Sequence, residues 1–185
     1  MALKTELLKP TPQNIKKAVE VIKHGGLVIY PTETSYGIAA DPFNEDAVNK
    51  INTIKNRKDK VGFIVLCSNI RQAQEYSDVT KEERELSRSK QPTTIITKKK
   101  NNWPDFVNSD FVFRISPNPV ARKLLKNFGK PITSTSANIT GNPDTYSSRE
   151  AYKIFSGKVD IVLDAGFLPE KKPSRIIKDG KIIRQ

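Results

Sequence analysis

Residues 11–37 read TPQNIKKAVEVIKHGGLVIYPTETSYG, and this stretch sets the pattern on which the fold prediction depends. Thr11 and Pro12 are typical of a helix N-cap and first helical residue, and apolar residues then recur at helical spacing as far as Gly25. The apolar run at residues 27–30 follows as a strand. The stretch therefore predicts a helix that leads into a strand, which ends in a polar turn.

The same alternation continues along the chain. Predicted helices begin at four further capping signals, namely Asn44, Thr80 with Glu83, Ser116-Pro117, and Ser147 with Glu150. Predicted strands cover residues 61–67, 93–97, 111–115, 131–133 and 159–163, and residues 176–183 form a hairpin about Asp179-Gly180. This alternation predicts an α/β fold built on one twisted mixed sheet with flanking helices, in a single domain over residues 1–185.

The composition excludes several classes of protein. Hydrophobic residues make up 36% of the chain and no apolar run approaches the ~20 residues that span a bilayer, so we expect a cytoplasmic globular protein. The single cysteine, Cys67, excludes internal disulfides and is expected to be a buried strand thiol. The single histidine, His24, leaves no Cys/His zinc set and argues against a histidine triad.

The formal charge of +12 predicts attraction to polyanions such as nucleotides, RNA or acidic lipid. Composition alone does not choose among them. The chain has neither a G-x-x-x-x-G-K-[ST] nor a G-x-G-x-x-G motif, so any nucleotide must be held outside the P-loop and Rossmann schemes.

Three polar clusters could carry chemistry, and each also has a purely structural explanation. The turn at residues 31–37 is either a turn with surplus polar groups or one edge of a pocket. The hydroxyl-rich run TSTSAN at residues 133–138 could bind phosphate or carboxylate oxygens, or could cap its own backbone. The charged run KNRKDK at residues 55–60 could hold a polyanion, or could be an exposed helix end.

Together the clusters resemble one known family, the YrdC-type threonylcarbamoyl-AMP synthases. The resemblance rests on Pro31-Thr32-Glu33-Thr34-x-Tyr36-Gly37, Lys55-x-Arg57, Ser134-Thr135-Ser136-Ala137-Asn138, Gly141, and the ending Ile183-Arg184-Gln185. It spans nearly the whole chain, in the family's order, and corresponds to the short, single-domain form of the family. The resemblance implies a nucleotidyltransferase with a concave basic groove, which makes threonylcarbamoyl-AMP and pyrophosphate from L-threonine, bicarbonate and ATP.

The resemblance also assigns roles and partners. It places ATP on Lys55, Arg57, Ser136, Asn138 and Ser174, and it places threonine on Thr32, Arg114 and Ser134. No protein nucleophile and no metal-ligating side chain are expected, because the substrate carbamate attacks and Mg²⁺ is held mainly through the ATP phosphates. A separate transferase complex then modifies the tRNA adenosine next to the anticodon.

The chain departs from the family pattern at four places. Lys58 stands where Pro is common, Gln91 lies in a Ser-Lys-Gln-Pro run that replaces Trp-Pro-Gly-Pro, Asp110 replaces a hydroxyl residue, and Arg175 replaces Thr. The departures at Gln91 and Asp110 fall near the expected nucleotide site.

Two other functions fit parts of the sequence. A non-catalytic module that binds double-stranded or structured RNA would use the charge of +12 without any reaction. Carbamoyl-transfer proteins of hydrogenase maturation look similar in fold, but they carry an acylphosphatase segment and paired-cysteine zinc motifs, whereas this chain has one cysteine.

Overall fold

The structure is a computed structural model in which residues 3–57 and 62–184 are described. Its elements are β1 (Glu6–Leu8), α1 (Pro12–Lys23), β2 (Val28–Pro31), β3 (Tyr36–Ala39), α2 (Glu45–Ile54), β4 (Val65–Cys67), α3 (Ile70–Tyr76), α4 (Lys81–Leu86), β5 (Thr93–Thr97), β6 (Phe111–Ile115), α5 (Pro119–Phe128), β7 (Ile132–Thr133), β8 (Thr135–Ser136), α6 (Ser148–Phe155), β9 (Ile161–Leu163), β10 (Arg175–Lys178) and β11 (Lys181–Arg184). The predicted α/β class is confirmed. None of the helices in the described ranges is long and apolar enough to cross a bilayer.

The strands form two sheets, and the prediction of a single sheet was wrong. The first sheet has the order β1-β9-β2-β3-β8 and the second has the order β11-β10-β5-β6-β4-β7. Both are mixed: β9 runs parallel to β1 and β2, for example, whereas β2 and β3 are antiparallel. Alternating strands and helices identify the strands but do not say which strands pair, so the sequence pattern could not separate the two sheets.

The chain passes from one sheet to the other at Ser134. Strand β7 ends at Thr133 and pairs with β4 in the second sheet, whereas β8 begins at Thr135 and pairs with β3 in the first. The backbone N–H of Ser134 donates to Ile64 O at 2.7 Å, and the N–H of Ala40 donates to Thr133 Oγ1 at 2.8 Å. The hydroxyl-rich cluster therefore lies where the two sheets meet.

Strand β2 is buried on both faces and separates two apolar clusters. Val28 and Tyr30 pack with α1 and α5, whereas Leu27 and Ile29 pack into the larger cluster on the opposite face, as the alternation of strand side chains requires. All four side chains are at most 2% exposed. Each buried side chain of this size contributes about 1.5–3 kcal/mol, so β2 is a firm support for the turn that follows it.

Helix α5 begins later in the chain than predicted. Ser116 and Pro117 do not open it, because Asn118 is the N-cap and Pro119 the first helical residue. The Asn118 side chain accepts two backbone N–H groups of the first turn, at 2.9 and 3.3 Å. The Ser116 hydroxyl is instead bonded to the carboxylate of Glu33, so a tertiary contact removed the predicted cap.

Strand β4 is also shorter than the predicted strand at residues 61–67. Val61 lies outside the described residues, and regular pairing covers only Val65–Cys67. Before it, the side chain of Asn108 takes the place of a strand neighbour: Asn108 Oδ1 accepts from Phe63 N at 2.6 Å, and Asn108 Nδ2 donates to Phe63 O at 2.7 Å. An amide side chain that substitutes for a strand cannot be predicted from apolar spacing.

Four short elements, β1, β3, α3 and β8, correspond to no predicted element, and none is longer than 7 residues. Segments this short hold too few residues to show a helical or strand period. Their existence depends on the strands and helices beside them.

Candidate functional site

A cavity of about 340 Å³ opens where the two sheets meet. Its wall contains six of the eight side chains that the sequence predicted to bind substrates, namely Thr32, Arg57, Arg114, Ser134, Ser136 and Ser174. The other two, Lys55 and Asn138, are not part of the wall and contact each other beside it. Residues far apart in the chain are thus gathered at one place, as the resemblance implies.

A larger cavity of about 600 Å³ lies between α3 and α5. Three exposed cations line it, Arg122, Lys123 and Lys126, and none of the predicted site residues does. The smaller cavity is the better candidate for catalysis, because buried polar side chains converge there: Thr32, Arg114, Ser134 and Ser174 are 2–6% exposed.

The turn between β2 and β3 is organised by the hydroxyl of Thr32. Thr32 Oγ1 donates to Ser35 O at 2.7 Å and accepts from the N–H groups of Thr34 and Ser35 at 3.2 and 3.3 Å. Thr32, Thr34 and Ser35 all line the cavity as well. The turn is therefore both a self-bonded hairpin turn and one edge of a pocket, so the two interpretations of this segment hold together.

Gly37 lets this hairpin approach the crossing between the sheets. A Cβ atom at this position would lie 3.3 Å from Ser134 Oγ and 3.4 Å from Thr32 Cγ2. A larger residue would push apart two of the side chains predicted to bind threonine.

Arg114 reaches the cavity from the end of β6. Its Nε lies 2.8 Å from Glu33 Oε1, and the two side chains are 7% and 8% exposed. The contact is an ion pair whose atoms are not aligned as a hydrogen bond. The guanidinium is therefore charge-balanced from one side and has donors left for a ligand in the cavity.

Lys55 ties the end of α2 to the loop that follows β8. Its Nζ donates to the carbonyl of Ser136, to Asn138 O at 2.6 Å and to Asn138 Oδ1 at 3.0 Å. Burial, with the charge of Arg57 as a smaller cause, lowers the pKa of Lys55 to about 8. The Lys55 ammonium is therefore bonded to oxygens of Ser136 and Asn138, and its predicted contact with ATP stays a prediction.

Arg57 and Ser136 both line the cavity. Arg57 Nη2 donates to Thr135 Oγ1 at 2.7 Å, and the guanidinium carbon lies 4.7 Å from the centroid of the Phe63 ring. Burial lowers the pKa of Arg57. Ser136 Oγ donates to Asn138 Oδ1 at 2.7 Å, which fixes the position of that hydroxyl.

Arg184 was not among the predicted binding residues, although it belongs to the segment Ile183-Arg184-Gln185 on which the family resemblance partly rests. It lines the cavity from β11, and its Nη2 donates to Ser174 O at 2.8 Å. Ser174 Oγ in turn lies 2.8 Å from Thr94 Oγ1. The last strand therefore brings a third guanidinium, after those of Arg57 and Arg114, to the cavity.

Asp144 is the second wall residue that sequence reasoning missed, and it is the one carboxylate among the described residues of the wall. Ser35 Oγ donates to Asp144 Oδ2 at 3.4 Å. No motif marks Asp144, so only the folded chain reveals it. Three guanidinium groups, against the carboxylates of Asp144 and of Glu33 beside Arg114, give a cavity that favours anions.

The departures from the family pattern lie away from the cavity wall where they are described. Asp110 is paired with Lys178 at 2.9 Å, and Arg175 Nε donates to Thr93 Oγ1 at 2.9 Å. Gln91 also lies outside the wall. Lys58 lies outside the described residues, as does Gln185 at the chain's end.

In the described part of the chain, no group of three or more His, Cys, Asp and Glu side chains could hold a metal ion. The cavity wall offers one carboxylate in its described part, that of Asp144, which is a hard oxygen donor of the kind Mg²⁺ takes. The wall thus fits a cation carried by its ligand.

Comparison with known proteins extends over nearly the whole chain. The family named for Sua5, YciO and YrdC, described as "Telomere recombination", matches residues 20–185. A threonylcarbamoyl-AMP synthase of Coxiella burnetii is 32% identical over 182 residues, which cover 93% of this chain and 97% of that protein.

Two solved structures share the fold. E. coli YciO superposes with a TM-score of 0.86 at 25% identity, over 99% of this chain and 95% of that one. P. abyssi Sua5, solved with L-threonine, superposes with a TM-score of 0.85 at 26% identity over 98% of this chain. This chain spans 55% of the length of that Sua5 chain.

Proposed function

This chain belongs to the Sua5, YciO and YrdC family, and from that premise we propose that it is a threonylcarbamoyl-AMP synthase. The observation that carries the proposal is the cavity at the meeting of the two sheets. It gathers Arg57 and Ser136 with Arg114 and Ser134, which is one predicted pair for the nucleotide and one for threonine. The P. abyssi structure with bound L-threonine supports an amino-acid site in this fold.

The proposed reaction needs no protein nucleophile. The amine of L-threonine attacks the carbon of bicarbonate, and water leaves to give a carbamate. A carbamate oxygen then attacks the α-phosphorus of ATP, the bond between the α-phosphorus and its bridging oxygen breaks, and pyrophosphate leaves. The protein's task is to hold two anions in line and to offset the charge that develops on the phosphates.

Arg114 binds the threonine carboxylate through the nitrogens that Glu33 leaves free. Thr32 and Ser134 stand on the same wall and orient the rest of the amino acid. Since Thr32 Oγ1 donates one hydrogen bond and accepts two within its own turn, its hydroxyl fixes the shape of this edge of the threonine pocket.

Arg57, Ser136 and Ser174 bind the phosphates, and Arg184 joins them from β11. Lys55 and Asn138 hold the end of β8, where Ser136 lies. The proposed cofactor is Mg²⁺, held mainly by the ATP phosphates and next to Asp144. When bound, the ion neutralises part of the phosphate charge.

The product is a mixed anhydride that water can hydrolyse, so a separate enzyme must consume it promptly. We propose that a tRNA threonylcarbamoyl transferase complex is that downstream partner. Its acceptor is the adenosine next to the anticodon.

RNA binding without catalysis is the second candidate, and the charge of +12 is the observation that favours it. The two functions separate by mutation. Replacing Arg57 should remove turnover and leave salt-dependent RNA binding nearly intact, whereas an RNA module would release no pyrophosphate at all.

The proposal is tested by pyrophosphate release from ATP and Mg²⁺, with threonine and bicarbonate supplied or omitted singly. We expect release that needs both, and that falls at least ~10²-fold in Arg57→Met because a phosphate-binding charge is lost. Arg122→Met, on the exposed face of α5, is the matched control and should behave as the wild type. Release that ignores threonine, or its absence from the wild type, would refute the proposed function.

A further inference from the structure

We propose that Glu33 is a positioning residue, which holds Arg114 so that its outer nitrogens receive the carboxylate of the amino-acid substrate. The inference rests on the proposed function, and it gives a role to the one acidic residue of the turn after β2. Glu33 itself is not part of the cavity wall, whereas Arg114 is. Glu33 therefore acts on the ligand through Arg114.

The contact geometry divides the guanidinium into two sides. Glu33 Oε1 lies 2.8 Å from Nε of Arg114, and in the described ranges Glu33 is the ion-pair partner of Arg114. An arginine held at Nε keeps its two terminal nitrogens for a planar, two-pronged contact with a carboxylate. The contact with Glu33 at Nε therefore leaves the two terminal nitrogens of the guanidinium available to a ligand in the cavity.

Glu33 is itself fixed from behind. The hydroxyl of Ser116, which is 1% exposed, donates to Glu33 Oε2. Asn118 Nδ2 donates to Thr32 O at 3.2 Å, so the turn is joined a second time to the connection between β6 and α5. Arg114 and Ser116 lie two residues apart at the end of β6, so both side chains reach Glu33 from the same side of the chain. Arg114 contacts one oxygen of the Glu33 carboxylate and Ser116 contacts the other.

Charge explains why a carboxylate stands at this position. A guanidinium that is 7% exposed is costly to bury alone, and Glu33 offsets that cost before any ligand arrives. The ion pair is not aligned as a hydrogen bond, so Arg114 is held by charge and retains donors for the ligand. Removing only the charge of Glu33 should therefore displace the Arg114 side chain while the turn between β2 and β3 keeps its conformation.

The test compares Glu33→Gln with the wild type in pyrophosphate release at varied threonine and at varied ATP. We expect the KM for threonine to rise at least about tenfold, because a misplaced guanidinium loses charge-assisted hydrogen bonds to the carboxylate. The kcat and the KM for ATP should change less than about threefold, because that contact is equally strong in the bound substrate and the transition state. L-Threoninamide, which lacks the carboxylate, should be used equally by both proteins.

Three further variants separate positioning from folding. Glu83→Gln makes the same change at a buried glutamate of α4, 6% exposed, and should leave both KM values unchanged. Ser116→Ala removes the hydrogen bond to Glu33 without removing charge. It should raise the KM for threonine by about threefold and leave the KM for ATP unchanged. If Glu33→Gln does not fold, Ser116→Ala carries the test. In an Arg114→Met background, Glu33→Gln should add nothing.

Calorimetric titration of L-threonine into the ATP-free protein tests Glu33 apart from turnover, and the Kd should rise in step with the KM. An unchanged threonine affinity in folded Glu33→Gln would overturn the inference, as would an equal loss with threoninamide. A wild type that binds threonine without releasing pyrophosphate would refute the proposed function and leave the role of Glu33 standing.

Discussion

Replacing Lys55 by Met distinguishes a phosphate ligand from a residue that holds a loop. The ammonium donates to three oxygens at the end of β8 and in the loop after it, those of the Ser136 carbonyl and of the Asn138 carbonyl and side chain. Lys55 is 2% exposed and does not line the cavity. Methionine keeps most of the length of the side chain and removes only the charge and the donors.

The stability change follows from two opposing effects. The fall in the pKa of Lys55 from 10.5 to about 8 corresponds to roughly 3 kcal/mol of cost for burying the charge, which Met relieves. Three charge-assisted hydrogen bonds, at about 1.5–3 kcal/mol each, contribute about 5–9 kcal/mol, which Met loses. The difference is a net loss of about 2–6 kcal/mol, or a fall in Tm of about 4–24 °C for a chain of this size.

The loop should loosen although the fold survives. Lys55 O also accepts the N–H of Thr140 at 3.0 Å, so this amide reports directly on the tie. In hydrogen exchange we expect amides of residues 136–142 to exchange at least about tenfold faster in Lys55→Met, while the α2 amide of Val48 is unchanged. Lys50→Met, whose Nζ donates to the Gly25 carbonyl at 3.0 Å, is the control on the same helix.

The reasoning fails if pyrophosphate affinity falls in Lys55→Met while exchange in residues 136–142 stays at the wild-type rate. Lys55 would then leave its three oxygens and contact phosphate directly, as the family resemblance implies. A fall in Tm of less than about 4 °C, or of more than about 24 °C, would instead show that the balance of burial against hydrogen bonding is wrong.

Three further predictions concern other parts of the chain. Gly37→Ala should raise the KM for threonine by about threefold or more, because its Cβ would lie 3.3 Å from Ser134 Oγ, and an unchanged KM would show that the turn moves freely. Hydrogen bonds, led by one from Lys9, lower the pKa of Asp164 to about 2 from 3.8. This carboxylate therefore stabilises the fold above pH 3.8, by no more than about 1 kcal/mol because its partner Lys9 is 71% exposed, and less as the pH falls towards 2. In urea titrations the advantage of wild type over Asp164→Asn should shrink between pH 4 and 2, and a constant difference would contradict this. Burial raises the pKa of the Cys67 thiol, so a thiol reagent should label the native protein at least about a hundredfold more slowly than the unfolded chain, whereas equal rates would refute its burial.

Local signals predicted the elements that carry their own caps and periods. Strands β5 and β6 lie at the predicted residues 93–97 and 111–115, and α6 begins after Ser147 as predicted. The hairpin about Asp179-Gly180 has both residues at positive φ, as an Asp-Gly turn requires. In each case neighbours in sequence supply the stabilising contact.

The errors have the opposite origin, because distant residues decide them. The sequence predicts a helix start at Ser116, but the Ser116 hydroxyl donates to Glu33 instead. Asn108 bonds to Phe63, 45 residues away in the chain, and so ends the regular pairing of β4. Within the candidate site, the resemblance named Arg57 and Ser136 but no pattern marked Asp144. Spacing can suggest which side chains share a site, whereas the direction in which Lys55 points depends on where the loop after β8 lies.

The place of β9 between β1 and β2 has a consequence for synthesis on the ribosome. Glu6 of β1 pairs with Ile161 of β9, so the first strand to be synthesised has no partner until one of the last strands has been made. At about 5–20 residues per second, β9 follows β2 by on the order of ten seconds, and such non-local pairing is slow to form. Throughout that interval one edge of β2, an apolar strand, is without its neighbour. The nascent chain is therefore expected to depend on chaperones that shield strand edges until translation has passed Leu163.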